Sequence, residues 1–182
     1  MGLLPLLCAI AVRRAVKALC DADAQIKWPN DMILKGKKLC GILCESRIMA
    51  GQESGLCAVC GIGINLTQEQ QAFDALGLPH ATSLKLGTGQ VFTPEEVTAA
   101  ILEQFSQVYE QYRAEGFPRI LPEYREGCIT LGKQVRVIRD GETKEGTALD
   151  ITTDGELLCR IDGEEQIIRS GEASVRGLYG YI

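Results

Sequence analysis

Positive charge is in short supply in this sequence. It has 19 Lys and Arg against 24 Asp and Glu, for a net charge of −5. That balance argues against a general nucleic-acid binder, so any cationic site must be local. Long apolar runs are also missing. Nothing approaches the roughly 20 uninterrupted apolar residues of a membrane span. The apolar opening, "MGLLPLLCAIAVRRAVKAL", places Arg13, Arg14 and Lys17 after its apolar run, and a secretory signal has the reverse order. These absences lead us to expect a cytoplasmic chain with no membrane association, in which thiols stay reduced. Histidine is limited to His80, in a loop. No internal repeat or low-complexity segment occurs. A length of 182 residues suits one medium domain, or one domain with a small appendage.

Cysteine, by contrast, is plentiful, with eight residues at positions 8, 20, 40, 44, 57, 60, 128 and 159. Cys57 and Cys60 have zinc-like spacing, and Cys40 and Cys44 precede them on a neighbouring predicted strand. Three residues apart on a strand, however, Cys57 and Cys60 point to opposite faces. The Cys40/Cys44 pair lacks the usual spacing and knuckle turn. The expectation is therefore no metal and no disulfide, with the thiols behaving as small apolar residues.

Residues 3–20 repeat apolar positions at helical spacing (Leu3, Leu6, Leu7, Ile10, Ala11, Ala15, Ala18, Leu19), which predicts a helix with a broad buried face. Pro5 is tolerated in its first turn. From 25 to 66 the pattern becomes strand-like. Strands are expected at Gln25–Trp28, Met32–Leu34, Leu39–Ser46 and Leu56–Asn65, joined by turns at Pro29-Asn30-Asp31, Lys35-Gly36-Lys37 and Ala50–Gly55. Such short links favour an antiparallel meander. The near-continuous apolar runs of the last two strands predict burial on both faces, under helices.

A short helix is expected at 68–76. Thr93-Pro94-Glu95-Glu96 opens a longer one with an N-cap Thr, Pro at the first helical position and acids in the first turn, and Gly116 stops it. A further helix is expected near 118–127. After Cys128 apolar and polar residues alternate, with Asp-Gly at 140–141, 154–155 and 162–163. These are hairpin signals at short spacing, and they predict a small β-barrel of about five strands.

The stretch "IKWPNDMILKGKKLCGILCESR" at 26–47 concentrates cations at two hairpin tips. Lys27, Lys35, Lys37 and Lys38 would ordinarily be solvated turn lysines. Lys38 differs because it abuts a buried, glycine-containing strand, where it could hold an anion in a partly dry pocket. Asn30 and Asp31 are turn formers on any reading, and Asp31 could also orient a lysine or hold Mg²⁺ through water. "GIGIN" at 61–65 is either a strand end with close packing or a backbone that a flat ligand can approach, with Asn65 offering a donor and an acceptor to adenine's edge.

Taken together, "KWPND", "KKLCGIL" and "GIGIN", in that order and spacing, closely resemble the biotin–protein ligase family. "ATSL" at 81–84 and the C-terminal β-region are similar to it as well. The resemblance covers nearly the whole chain. It implies ATP-dependent activation of biotin to biotinyl-5′-AMP, then transfer to a lysine of a biotin carboxyl carrier domain of a carboxylase. It implies that Lys38 contacts the biotin carboxyl and the adenylate phosphate, and that Gly41 and Ile42 belong to the biotin pocket. Lys27, Asn30 and Asp31 are implied beside the ATP phosphates and Mg²⁺, with Asn65 reading adenine. Trp28 and Pro29 are expected to shape that wall.

The sequence also departs from the family pattern. Cys40 stands where the family usually has Ala or Gly, which adds volume near the expected biotin pocket. There is no Gly-Arg-Gly-Arg-x-Gly-Arg segment and no upstream Ser/Thr and Gln set for the biotin ring. The expectation is thus a partial α+β catalytic domain over 1–127, class II synthetase-like, with a mixed or antiparallel sheet packed by helices. A small Src-homology-3-like barrel follows over 128–182. Activity is expected to be impaired by loss of the preceding segment. The absence of a helix-turn-helix argues against DNA binding, and exposed sheet edges make a homodimer possible. The alternatives are a catalytically silent binding module and a Cys-rich metal binder.

Overall fold

The computed structural model describes residues 2–48, 56–139, 141–171 and 174–177. Its first helix, α1 (Leu4–Cys20), is buried without a break from Leu6 to Val12. A helix apolar all round has to be enclosed, and α1 contacts strands of the first sheet as well as a long later helix. It ends where Asp21 takes a left-handed conformation and its N–H bonds the Lys17 carbonyl at 3.0 Å.

Four strands follow: β1 (Gln25–Lys27), β2 (Asp31–Leu34), β3 (Lys37–Ile48) and β4 (Leu56–Ile64). They pair in the order β1-β2-β3-β4, all antiparallel, as the short turns require. The expected turn at Ala50–Gly55 lies outside the described residues. Cys40, Ile42 and Cys44 face the core with their cross-strand partners Ile64, Ile62 and Cys60. Gly41, Leu43 and Glu45 face the other way with Gly63, Gly61 and Val59.

This second face corrects the expectation of burial on both sides. Leu43 is 64% and Val59 51% exposed, and Gly61 and Gly63 are exposed too. An apolar run reads alike whether both faces are covered or one is open.

Helix α2 (Gln70–Ala75) is short, and α3 (Leu84–Thr88) is shorter still. Ser83 caps α3 by accepting from the Leu86 N–H. Helix α4 (Pro94–Glu115) has a full capping box: Thr93 Oγ1 accepts from the Glu96 N–H at 3.2 Å, and Glu96 Oε2 accepts from the Thr93 N–H at 2.8 Å. Gly116 separates it from α5 (Phe117–Gly127).

The remainder is a second antiparallel sheet of β5 (Gln134–Arg139), β6 (Glu142–Ile151), β7 (Leu157–Ile161), β8 (Glu164–Ile168) and β9 (Ser174–Gly177), in the order β8-β7-β6-β5-β9. The Asp162-Gly163 turn has φ of 54° and 85°, which suits Asp-Gly in a tight hairpin. Asp140, of the first Asp-Gly pair, lies outside the described residues.

The fold is thus α+β with antiparallel sheets, and most of its buried apolar residues form one cluster that runs from Leu6 to Ile168. Arg125 of α5 reaches β6 through a bidentate pair with Asp150 (2.6 and 2.7 Å) and a bond to the Ile151 carbonyl. No described helix is long and apolar enough to cross a membrane.

Candidate active site

A β-bulge sets the face on which Lys38 lies. Ile33 pairs with Lys38 and Met32 with Cys40, so Leu39 is an extra residue opposite the Met32/Ile33 step. The bulge turns Lys38 onto the face of Asp31 and Gly41, away from the core side where Cys40 and Ile42 sit. The Lys38 backbone is fixed by bonds from its N–H to the His80 carbonyl and from the Thr82 N–H to its carbonyl, both 2.8 Å. Its Nζ pairs with Asp31 Oδ1 at 2.5 Å, with the two side chains 37% and 17% exposed. Such a partly exposed pair contributes on the order of 1 kcal/mol. An incoming carboxylate or phosphate can therefore replace Asp31 as the partner at little cost.

The glycines around Lys38 leave space that the fold itself does not need. A Cβ on Gly41 would meet only the Lys38 stem and ammonium, at 3.5 Å, and the Asp31 carboxylate. A Cβ on Gly61 or Gly63 would meet nothing nearer than a backbone oxygen, at 3.7 and 3.8 Å. None of the three has a positive φ. Neither backbone conformation nor packing calls for glycine here, and the three leave open room over the strand.

Two hollows meet at this point. A cavity of about 460 Å³ is walled by Lys38, Asn65, Gln68, Phe73, Leu78 and His80. A shallow trough of about 500 Å³ runs over Asn30, Asp31, Gly41, Leu43 and Gly61. Lys38, Gly41 and Gly63 line both.

Of the sequence-predicted residues, Asn30, Asp31, Lys38, Gly41, Ile42 and Asn65 line one or both hollows, and Lys27 lines neither. Asn30 is a fastener, because its Nδ2 donates to the Ile42 carbonyl at 2.7 Å and its own carbonyl accepts from the Ile42 N–H at 2.9 Å. Lys27 stands opposite Asp31 in the β1–β2 register. Asn65 Nδ2 donates to the Thr82 carbonyl at 2.9 Å, so part of its donor capacity holds the "ATSL" segment in place. Ile42 is 2% exposed with its side chain in the core, and it meets the trough only as backbone wall. Cys40 is 1% exposed on the same core side, so its thiol volume lies across the strand from the glycine face. Burial, and then the nearby Asp31, pushes that thiol up to about 12.

Trp28 shapes the wall from behind. It is 2% exposed, and its Nε1 donates to the Gly155 carbonyl at 3.0 Å while its N–H donates to Thr130 Oγ1 at 2.9 Å. The Tyr124 hydroxyl donates to the Pro29 carbonyl at 3.4 Å. Sequence reasoning missed the cavity residues Gln68, Phe73 and Leu78, because only a short helix marks that segment.

Two family models match the chain: the biotin/lipoate A/B protein ligase family over residues 3–65 and the biotin protein ligase C terminal domain over residues 130–176. A biotin–[acetyl-CoA-carboxylase] ligase of Paracoccus denitrificans is 31% identical over 174 residues, covering 93% of this chain and 71% of the relative. The chain belongs to the biotin protein ligase family. The bifunctional ligase/repressor BirA of Bacillus subtilis is 33% identical over 85% of this chain, and the chain spans only 47% of BirA. It thus spans about half the length of some relatives that it matches. Among solved structures, the biotin protein ligase from Aquifex aeolicus superposes with a TM-score of 0.82 at 25% identity, over 97% of this chain and 75% of that one. The same ligase in complex with biotin and ATP has a TM-score of 0.80 at 24% identity, a likeness of fold.

Proposed function

We propose that this chain carries the activating part of a biotin protein ligase: it holds biotin and ATP so that the biotin carboxylate attacks the α-phosphorus. The products of that step are biotinyl-5′-AMP and pyrophosphate. The ε-amine of a lysine on a biotin carboxyl carrier domain then attacks the acyl-adenylate, releasing AMP. The observation that carries this reading is the meeting of two hollows at Lys38. A ligand with two unlike halves joined by an anionic link fits that shape.

In this reading the adenosine half occupies the cavity. Asn65 Oδ1 accepts from the adenine amine, and Phe73 and Leu78 flank the base. Biotin lies along the Gly41, Gly61 and Gly63 backbone. Lys38 leaves Asp31 for the junction, where a carboxylate and a phosphate must meet. Two anions repel, and an ammonium placed between them offsets this most strongly where water is excluded. Asp31, freed from Lys38, and Lys27 opposite it border the phosphates. The Mg²⁺ that accompanies ATP would be met by the Asp31 carboxylate, a hard oxygen ligand suited to it. No Gly-Arg-Gly-Arg-type segment occurs in this sequence, so these residues bring few cations of their own to the reaction. Turnover by these residues alone is expected to be slow.

We read residues 1–127 as the catalytic part, class II synthetase-like, and 128–182 as a small Src-homology-3-like barrel that braces the "KWPND" wall through Thr130 and Gly155. The test is a nitrogen-15 NMR titration with a non-hydrolysable biotinyl-adenylate analogue. Saturable shifts at the Lys38, Gly41, Gly63 and Asn65 amides are expected. Shifts centred elsewhere, or none, would overturn the reading.

A further inference from the structure

Cys8 lies on α1, and Cys44 and Cys60 face each other across β3 and β4 on the core side of the sheet. All three Sγ atoms lie within 4.8 Å of one another, and none is in a disulfide. The cluster sits across the sheet from Lys38 and the glycine trough and takes no part in the proposed reaction. The hairpin quartet suggested by spacing does not form, since Cys57 pairs with Arg47 in register and Cys40 is not among the gathered thiols.

Thiols also pack singly as small apolar groups. Here three of them, from three separate elements, converge on one point. Zinc–sulfur bonds of about 2.3 Å set bound sulfurs roughly 3.8–4.0 Å apart. A movement of no more than about 1 Å would bring these sulfurs to that spacing. Cys8 is 1% exposed, while Cys44 and Cys60 are half-buried, and β4 is an edge strand among the described residues. An ion can therefore enter from the edge and keep one position open to solvent.

We propose that Cys8, Cys44 and Cys60 form a three-thiolate site for a thiophilic d¹⁰ cation, zinc(II) or copper(I). Soft sulfur ligands select this class of ion over the hard cation that accompanies ATP. On binding, three S–H bonds are replaced by three metal–sulfur bonds and three protons pass to solvent. No electrons move. Burial holds the Cys8 thiol well above its ordinary value and raises Cys44 to about 11, so an ion binding there displaces protons from these two.

The test uses the purified, reduced chain under anaerobic conditions, titrated with cadmium(II) as a spectroscopic probe. Competition against chelators with zinc(II) and with copper(I) forms the two further arms. One ion per chain is expected, with thiolate-to-metal charge-transfer intensity for three sulfurs. Cys44→Ser and Cys60→Ser should each lose tenfold or more in affinity, while Cys57→Ser should lose none. Both cluster variants lie at half-buried strand positions, and circular dichroism checks their fold. Cys8→Ala supplies the third arm. Tight binding of either zinc(II) or copper(I) supports the site and assigns the ion. No saturable binding, or equal losses from Cys57→Ser and Cys44→Ser, would overturn it.

Discussion

Lys38 and Gly41 share one face of the sheet although they are three residues apart, a spacing that puts residues of a regular strand on opposite faces. The bulge at Leu39 makes the difference. Without it, Lys38 would follow Cys40 and Ile42 towards α1 and bury its ammonium in an apolar core. With it, the same residue becomes a cation over a glycine floor.

That floor should tolerate side chains structurally and fail functionally. Gly61→Val and Gly63→Val add β-branched residues to a strand at positions with no close protein neighbour. The melting temperature should stay level or rise. Affinity for a biotinyl-adenylate analogue should fall at least tenfold, because the new methyls occupy the space over the strand. Calorimetry of both properties checks this, and unchanged affinity in stable variants would remove the glycine floor from the site.

The wall behind the floor should matter for stability. Gly155 has φ +79°, and a Cβ there would lie 2.7 Å from Leu3 Cδ2 and 2.9 Å from Leu6 Cδ2. Gly155→Ala combines a left-handed penalty with overpacking against α1, and about 2–4 kcal/mol of destabilisation is expected. Trp28→Phe deletes the indole bond to the Gly155 carbonyl and should cost about 1–3 kcal/mol, mainly by leaving a buried acceptor unmade. Urea unfolding of the two variants measures both.

Much of this architecture was legible in the sequence. The helical spacing of Leu6, Leu7 and Ile10 and the Thr93-Pro94-Glu95-Glu96 cap are local signals, and α1 and α4 obey them. The hairpin turns between short strands likewise dictate the antiparallel meander. What escaped was non-local. Helix α3 is too short to carry a period and is held by the Ser83 cap and by Gly87, where a Cβ would lie 2.2 Å from Leu34 Cδ2. The open face of β3 and β4 is not legible because Ile42 and Leu43 look alike in sequence, while one is in the core and the other in solvent. The family was legible from "KWPND", "KKLCGIL" and "GIGIN". The face on which Lys38 lies was not, because it depends on the register with β2.

Alkaline pH should destabilise the fold. Burial raises the Cys40 thiol from its ordinary 9.0 to about 12, and Cys159 to about 11. Below the ordinary value both folded and unfolded thiols are protonated, and folding is indifferent to pH. Above it the unfolded chain ionises first, so stability falls until the folded value is passed. For the well-buried Cys40 the slope is about 1.4 kcal/mol per pH unit in that window. Denaturation midpoints should be flat up to about pH 8.5 and then decline, with Cys40→Ala declining less steeply. A midpoint that rises above the ordinary thiol value would contradict the assignment.

In the proposed reaction Lys38, alone among the hairpin lysines, meets the anionic link of the ligand. Lys35 lies in the exposed turn, and Lys37 Nζ donates to Gln70 Oε1 at 2.7 Å. The direct measurement is the calorimetric affinity of a biotinyl-adenylate analogue for the unaltered chain and for Lys38→Ala, Lys35→Ala and Lys37→Ala. A charge-assisted hydrogen bond in a partly dry site is worth about 1.5–3 kcal/mol. Lys38→Ala should therefore bind roughly 10–100-fold more weakly. Lys35→Ala should match the unaltered chain, and Lys37→Ala should lie close to it. Equal losses from all three substitutions, or no loss from Lys38→Ala, would contradict the account and make Lys38 one more surface charge.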